Sequence, residues 1–216
     1  MEFIENDIIY YLDDKTHRAS VKKVKNTNTK IVIPKLIKGN YTVKEISHHA
    51  FYQNRDIEYV CLPDSIALIG ESAFEGCIAL KELQCLNPVA PIIILKRAFC
   101  MCYTLENLYI SGKVVINEDA VFQDCYSLND LPCAISGLIK QNTFFRCKKL
   151  ETIRFEDIRL LPRSFNNVPA LKTLIIAGKL QAAKLTLKKL INYEIHCPEN
   201  SPLLELAYNG QKIIIL

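Results

Sequence analysis

Apolar residues recur in a fixed order along most of this chain, and the clearest form of the order is Phe-x-x-Cys-x-x-Leu. Phe74, Cys77 and Leu80 form the reference copy. Its phenylalanine returns at intervals of 21 to 25 residues, at Phe51, Phe99, Phe122, Phe144 and Phe165. The first and last copies carry Asn54 and Val168 at the cysteine position. A period of this size indicates a solenoid in which each repeat forms one coil.

Each copy continues with two apolar residues that alternate with others, as Leu83 and Cys85 do after Leu80. Alternation of this kind is the period of a β-strand with one buried face. A single coil leaves its apolar side uncovered, so stability requires that neighbouring coils stack on one another. The pattern therefore predicts a pile of coils that share one continuous core.

The ends of the chain depart from the repeat. We predict one domain over residues 1–216, with a β cap and loop at 1–42, repeats at 43–198 and a C-terminal cap at 199–216. Segment 36–41 is interpreted as an inserted loop, and the final cap as a short helix at 201–208 followed by a strand at 212–216. An exposed terminal strand has unpaired backbone N–H and C=O groups, so it is expected to pair with the last coil or with another subunit.

A basic stretch follows the regular repeats, with five lysines and no acidic residue between Lys172 and Tyr193. Its apolar residues fit helical spacing, but Leu190, Tyr193 and Ile195 also repeat the strand triplet. We favour a degenerate last coil with a solvated lysine face over an amphipathic helix that binds a membrane or nucleic acid.

Side chains between the inward pair of each strand must point away from the core. This outward set mixes polar and aromatic residues, and exposed Tyr and Arg are favoured in protein contacts. The alternative is an ordinary solvated sheet face. The predicted partner-binding residues are Tyr59, Glu82, Gln84, Asn107, Tyr109, Asp130, Thr152 and Arg154.

Composition and charge exclude several classes of protein. The chain is 50% hydrophobic and 23% charged, which fits one ordinary globular domain. A net charge of +4 is too small to indicate a nucleic-acid partner, and no apolar run reaches the length of a membrane span. The N-terminal residues include acidic groups where a signal peptide would be basic.

Nine cysteines could form disulfides, but four of them occupy one repeated apolar position. We interpret Cys77, Cys102, Cys125 and Cys147 as free core residues, which favours a reducing compartment such as the cytoplasm.

Candidate catalytic chemistry is sparse. The adjacent pair His48 and His49 occupies a surface position of the repeat, and the Cys100–Cys102 segment has no second cysteine pair to complete a zinc site. Cys61, on the outward face, is the one candidate nucleophile, and no histidine of the repeat pattern accompanies it. No phosphate-binding loop is present. We therefore predict no enzyme, no cofactor, no metal and no catalytic residue.

The repeat unit resembles that of the BspA-like branch of the leucine-rich repeat family, which reads Ile-Gly-x-x-Ala-Phe-x-x-Cys-x-x-Leu-x-x-Ile-x-Ile-Pro. The match is closest at Ile69–Cys77 and Val60–Pro63, and it covers roughly residues 43–198. The resemblance implies a right-handed α/β solenoid with a parallel sheet on one side and short helical turns or irregular segments on the other. Departures occur at Asn54, Val168 and segment 86–95.

The family resemblance also implies a non-enzymatic role in binding other macromolecules, often at a cell surface or after secretion. That location conflicts with the cytoplasmic one favoured by the cysteines, so location stays open. We expect a protein-binding or adhesion-type module that uses the strand face. The alternative is a self-associating repeat protein, a possible homo-oligomer through its C-terminal strand.

Overall fold

The computed structural model describes residues 1–25, 28–182, 193–199, 201 and 213–215, and these form eighteen strands. The strands are β1 (Glu2–Glu5), β2 (Ile8–Asp13), β3 (Arg18–Val24), β4 (Lys30–Val32), β5 (Leu36–Ile37), β6 (Tyr41–Ile46), β7 (Tyr59–Leu62), β8 (Leu68–Ile69), β9 (Glu82–Cys85), β10 (Ile92–Ile94), β11 (Asn107–Ile110), β12 (Lys113–Ile116), β13 (Asp130–Ile139), β14 (Thr152–Leu160), β15 (Thr173–Ile176), β16 (Leu180–Ala182), β17 (Glu194–Cys197) and β18 (Ile213–Ile215).

Two parallel faces run along the stack. The first sheet contains β4, β7, β9, β11, β15, β17 and β18, together with the leading parts of β13 and β14. The second sheet contains β3, β6, β8, β10, β12 and β16 with the trailing parts of the same two strands. A turn that carries the Phe-x-x-Cys motif closes each coil.

The predicted helical turns are wrong for the described residues, which contain strands and turns but no helix. Two local features explain the difference. The segments on the other face form the short strands β8, β10 and β12, because their backbone groups pair with those of the neighbouring coils. The third residue of the Phe-x-x-Cys motif has a left-handed backbone conformation in every turn. This conformation interrupts a right-handed helix. Its φ is 56° at Gln53, 74° at Gly76, 59° at Met101, 62° at Asp124, 62° at Arg146 and 58° at Asn167.

In the N-terminal part, where a β cap is predicted, β1, β2 and β3 form an antiparallel unit. Parallel pairing already starts there, because β3 pairs with β6 and β4 with β7. The predicted loop at 36–41 is wrong in part. Leu36–Ile37 pairs antiparallel with the start of β6, and Ile37 is buried where a surface loop was expected.

The C-terminal predictions are tested only in part. β18 pairs in parallel with β17, so the terminal strand joins the preceding coil. The first part of the basic stretch forms strands β15 and β16, and residues 183–192 lie outside the described residues. The predicted helix at 201–208 also lies outside them, apart from Ser201.

The core is built from stacked copies of the motif. Phenylalanine rings lie nearly parallel in successive coils, with centroids 5.2 Å apart for Phe74 and Phe99 and 5.5 Å apart for Phe99 and Phe122. Phe144 continues the stack at 5.8 Å. Phe165 leaves it and meets Phe155 with ring planes 44° apart. Fully buried aromatic rings at van der Waals contact provide the largest single apolar contribution of each coil.

A cysteine ladder runs beside the phenylalanines. The Cys102 thiol donates a hydrogen bond to the Phe74 carbonyl at 3.1 Å, and the Cys125 thiol donates to the Phe99 carbonyl at 3.0 Å. Cys77 and Cys147 repeat the contact with Phe51 and Phe122. This position needs a small residue with one weak donor, which explains the recurrence of cysteine.

All nine cysteines are free, and all are buried except the partly exposed Cys61. The prediction of buried free thiols in the motif is therefore confirmed. Burial raises the pKa of Cys77 to about 12 and places the pKa of Cys102 well above its ordinary value. Protonated and enclosed thiols of this kind are inert toward oxidants and alkylating reagents.

Candidate binding surface

The eight predicted binding residues all lie on the outer side of the first sheet, in two rows. The first row follows the strand register from coil to coil and consists of Tyr59, Glu82, Asn107, Asp130 and Thr152. The second row contains Gln84 and Tyr109 as direct register partners, with Cys61 before them and Arg154 beyond. Tyr59 and Tyr109 are each 40% exposed.

Buried neighbours fix the direction of these side chains. Val60, Leu83 and Leu108 lie between the outward residues of their strands and are almost fully enclosed. Because side chains alternate with a period of two, a slip of one residue would turn this apolar set toward solvent. The core therefore fixes the direction of both outward rows.

The second row is interrupted at Pro132. The register between β13 and β14 shifts after Leu131, so that Ile135 and not Cys133 faces Phe155. Proline has no backbone N–H to donate to the neighbouring strand, so a β-bulge is expected at Pro132. Such a bulge bends the strand locally. As a result, Arg154 is separated from the Gln84–Tyr109 part of the second row.

A polar cleft of about 320 Å³ lies at the start of β13 and β14, next to the bulge. The structure brings together three predicted residues there, Asp130, Thr152 and Arg154. Sequence reasoning missed the other three lining residues, Asn129, Lys149 and Glu151. Asn129 and Glu151 directly precede strands β13 and β14, at the same position of successive coils. This repeated position in the sequence could have identified them.

Ion pairs and hydrogen bonds order the leading edge of the sheet. Lys81 contacts Glu58 of the preceding coil at 2.7 Å, and this hydrogen bond raises the pKa of Lys81. The Gln84 amide also donates to the Glu82 carboxylate within one strand. These groups are substantially exposed, so they contribute little to stability. Their effect is to limit the rotamers presented on the surface.

The outer side of the second sheet is more apolar than the predicted surface. Leu68, Ile93 and Val115 are register partners on three adjacent strands, and Ile93 is 46% exposed. Sequence reasoning did not identify this row. The signal was present in the uninterrupted apolar runs at Ile92–Ile94 and Val114–Ile116, where the middle residue has no place in the core.

Catalytic chemistry receives no support from the surroundings of Cys61. Its register neighbours are Val32 and Gln84, and neither is a base. Across the described part of the chain, no group of three histidine, cysteine or acidic residues could hold a metal ion. No helix among the described residues is long and apolar enough to cross a membrane.

Solved structures share this fold. A leucine-rich repeat protein from T. pallidum aligns with a TM-score of 0.64 and 20% identity, over 90% of this chain and 98% of its own. A leucine-rich cell surface protein from Faecalibacterium prausnitzii A2-165 aligns with a TM-score of 0.67 and 20% identity, over 91% of this chain and 54% of its own. At this identity the likeness shows the fold alone. No curated protein matches the chain.

A family model gives the more specific result. The model for the BspA type leucine-rich repeat region matches six copies over residues 44–172, which is more than half of the chain. The match coincides with the stacked phenylalanine and cysteine ladders, and it confirms the resemblance stated from the motif. The chain belongs to the BspA-type leucine-rich repeat family.

Proposed function

We propose that this chain is a non-enzymatic binding module that contacts a protein partner through the outer side of its first sheet. Proteins of this repeat family are typically binding modules, which supports the general role. The observation that carries the specific surface is the alignment of eight outward side chains over five adjacent strands, β7, β9, β11, β13 and β14.

The chemistry of the surface favours a protein as the partner. Two exposed tyrosines combine apolar area with a hydrogen-bonding hydroxyl, and they lie two strands apart on a rigid sheet. Polar groups surround them, as in the rim of a protein interface. Five strands at roughly 4.8 Å spacing give a contact line of about 19 Å, long enough for an extended segment or a loop of another protein.

Tyrosine replacement tests this surface. For a protein captured by the wild-type chain, Tyr59→Ala and Tyr109→Ala should each weaken binding by about tenfold or more, since central aromatic contacts contribute roughly 1.4 kcal/mol or more. Tyr11→Ala is the matched control, because Tyr11 is similarly exposed but lies on the cap. Isothermal titration calorimetry would measure the affinities. Unchanged binding by both surface variants, or an equal loss in the control, would contradict the surface.

Self-association through the C-terminal strand is the second candidate. It is supported by β18, whose Ile214 is 36% exposed on the sheet surface. One edge of β18 already pairs with β17, so a second chain would have to use the other edge. The cellular location also stays a prediction, and the name of the F. prausnitzii relative supports a cell surface.

A further inference from the structure

A second concave site lies between the N-terminal cap and the first motif turn, away from the first sheet. Strand β3 contributes Lys22 and Lys23, and the turn after β6 contributes His48, His49 and Tyr52. The cavity has a volume of about 280 Å³ and is completed by Glu2 and Ile9. Residues more than twenty positions apart in sequence thus converge on one opening.

The polar groups of this cavity are mostly donors. The one carboxylate, on Glu2, is paired with Lys22 at 2.9 Å. Within the described residues, Lys23 makes no ion pair or hydrogen bond through its side chain. The Gln53 amide donates to the Tyr52 hydroxyl at 3.4 Å, which leaves the hydroxyl proton available to donate outward.

The aromatic rings hold the two histidines in place. The His49 ring meets Tyr52 edge to face at 4.9 Å and meets His48 at 5.4 Å. Both histidines are exposed, so their ring nitrogens can reach a group in the opening. The side chains therefore present an ammonium group, two imidazoles and a phenol around one opening.

We propose that this cavity binds a phosphate or sulfate group carried on a small molecule. Ammonium and imidazolium groups form charge-assisted hydrogen bonds with such anions, and the tyrosine hydroxyl adds a neutral donor. A cavity of 280 Å³ also leaves room for part of the molecule that bears the anion. The site is separate from the first-sheet surface, so either can fail without affecting the other.

The charged groups around the cavity are largely paired. The adjoining coil contributes Glu71, Glu75 and Arg97 to the surroundings of His49. The Arg97 guanidinium contacts Glu75 at 2.9 Å and lowers the pKa of that carboxyl, so this pair is neutral overall. Lys23 then supplies an ammonium group that has no carboxylate partner among the described residues.

Histidine NMR of the full chain tests the proposal with defined anions. Inorganic sulfate, added at constant pH and ionic strength, should shift the His48 and His49 ring resonances saturably. Inorganic phosphate and glucose 6-phosphate are the comparison probes, and tighter binding of the sugar phosphate would show that the cavity holds more than the anion.

Two replacements and one control complete the test. Lys23→Gln and His48→Gln should each weaken sulfate binding by about fivefold or more, because each removes one donor from the opening. Lys44→Gln is the control, because Lys44 lines a different cavity of about 380 Å³. Non-saturating shifts, or an equal loss in the control, would mean only general attraction of anions and would overturn the proposal.

Discussion

Replacing Phe122 by alanine is expected to lower the free energy of unfolding by about 3–5 kcal/mol. The ring is fully buried and stacks on two neighbours, with centroids 5.5 Å from Phe99 and 5.8 Å from Phe144. Alanine would leave a cavity in the middle of the stack, and each flanking coil would lose contact on one side. The adjacent coils cannot close the gap, because hydrogen bonds between turns fix their spacing.

Urea unfolding followed by circular dichroism measures this loss. Tyr109→Ala provides the control, since it also removes an aromatic ring but at an exposed position of the sheet. The control should change the free energy of unfolding by less than about 1 kcal/mol. Equal losses in the two variants would show that Phe122 is not a central core residue and would contradict the stacked core.

Gly137→Ala is expected to destabilise the chain by about 3 kcal/mol or more, because two costs combine. The backbone at Gly137 has φ of 110°, a conformation that residues with a Cβ rarely adopt. An added Cβ would also lie 2.3 Å from the Ile116 carbonyl oxygen and 2.7 Å from Asn117 Oδ1. Backbone atoms of the neighbouring coil cannot move aside without breaking the pairing of β12 with β13.

Gly39→Ala separates these two costs. Gly39 also has a positive φ, 76°, but no atom lies within 4 Å of the added Cβ. Its replacement should therefore cost only the backbone term, about 1 kcal/mol. Thermal or urea unfolding of both variants gives the comparison. If Gly137→Ala cost no more than Gly39→Ala, the close approach of the two coils would be refuted.

The repeating core was predictable because its residues recur once per coil, and a coil is longer than any one strand or turn. Phe74, Cys77 and Leu80 recur where successive coils need the same volume at the same place, so sequence spacing alone locates them. The second sheet was not predictable in this way. Strands such as Leu68–Ile69 contain too few residues to display an alternation, and they form because the neighbouring coil supplies hydrogen bonds.

The candidate surface was predictable in part for the same reason. Buried Leu83 and Leu108 dictate that Glu82, Gln84 and Tyr109 point outward, and the structure places them so. The cleft at the start of β13 and β14 and the cavity at His48 were not predictable. The cleft combines residues of two coils, including Lys149 from the turn before β14, and the cavity depends on the packing of the cap against a distant turn.

Protection of Cys61 tests the central claim most directly, that the first sheet is the binding face. Cys61 lies on that face beside Gln84, and the other eight cysteines are buried, with pKa values raised to about 11 at Cys85 and Cys100 by burial. A small maleimide should therefore label the native chain at Cys61 alone among the cysteines. Arg159→Cys adds a control thiol at an exposed position of the second sheet.

The labelling rates are compared in the absence and in the presence of a saturating captured protein partner. The first-sheet surface predicts that the partner slows labelling of Cys61 by about tenfold or more, since bound contacts exclude solvent, and leaves labelling of the control thiol in Arg159→Cys unchanged. Undiminished labelling of Cys61, with protection of the second-sheet thiol instead, would contradict the claim and would assign binding to the apolar row of Leu68, Ile93 and Val115.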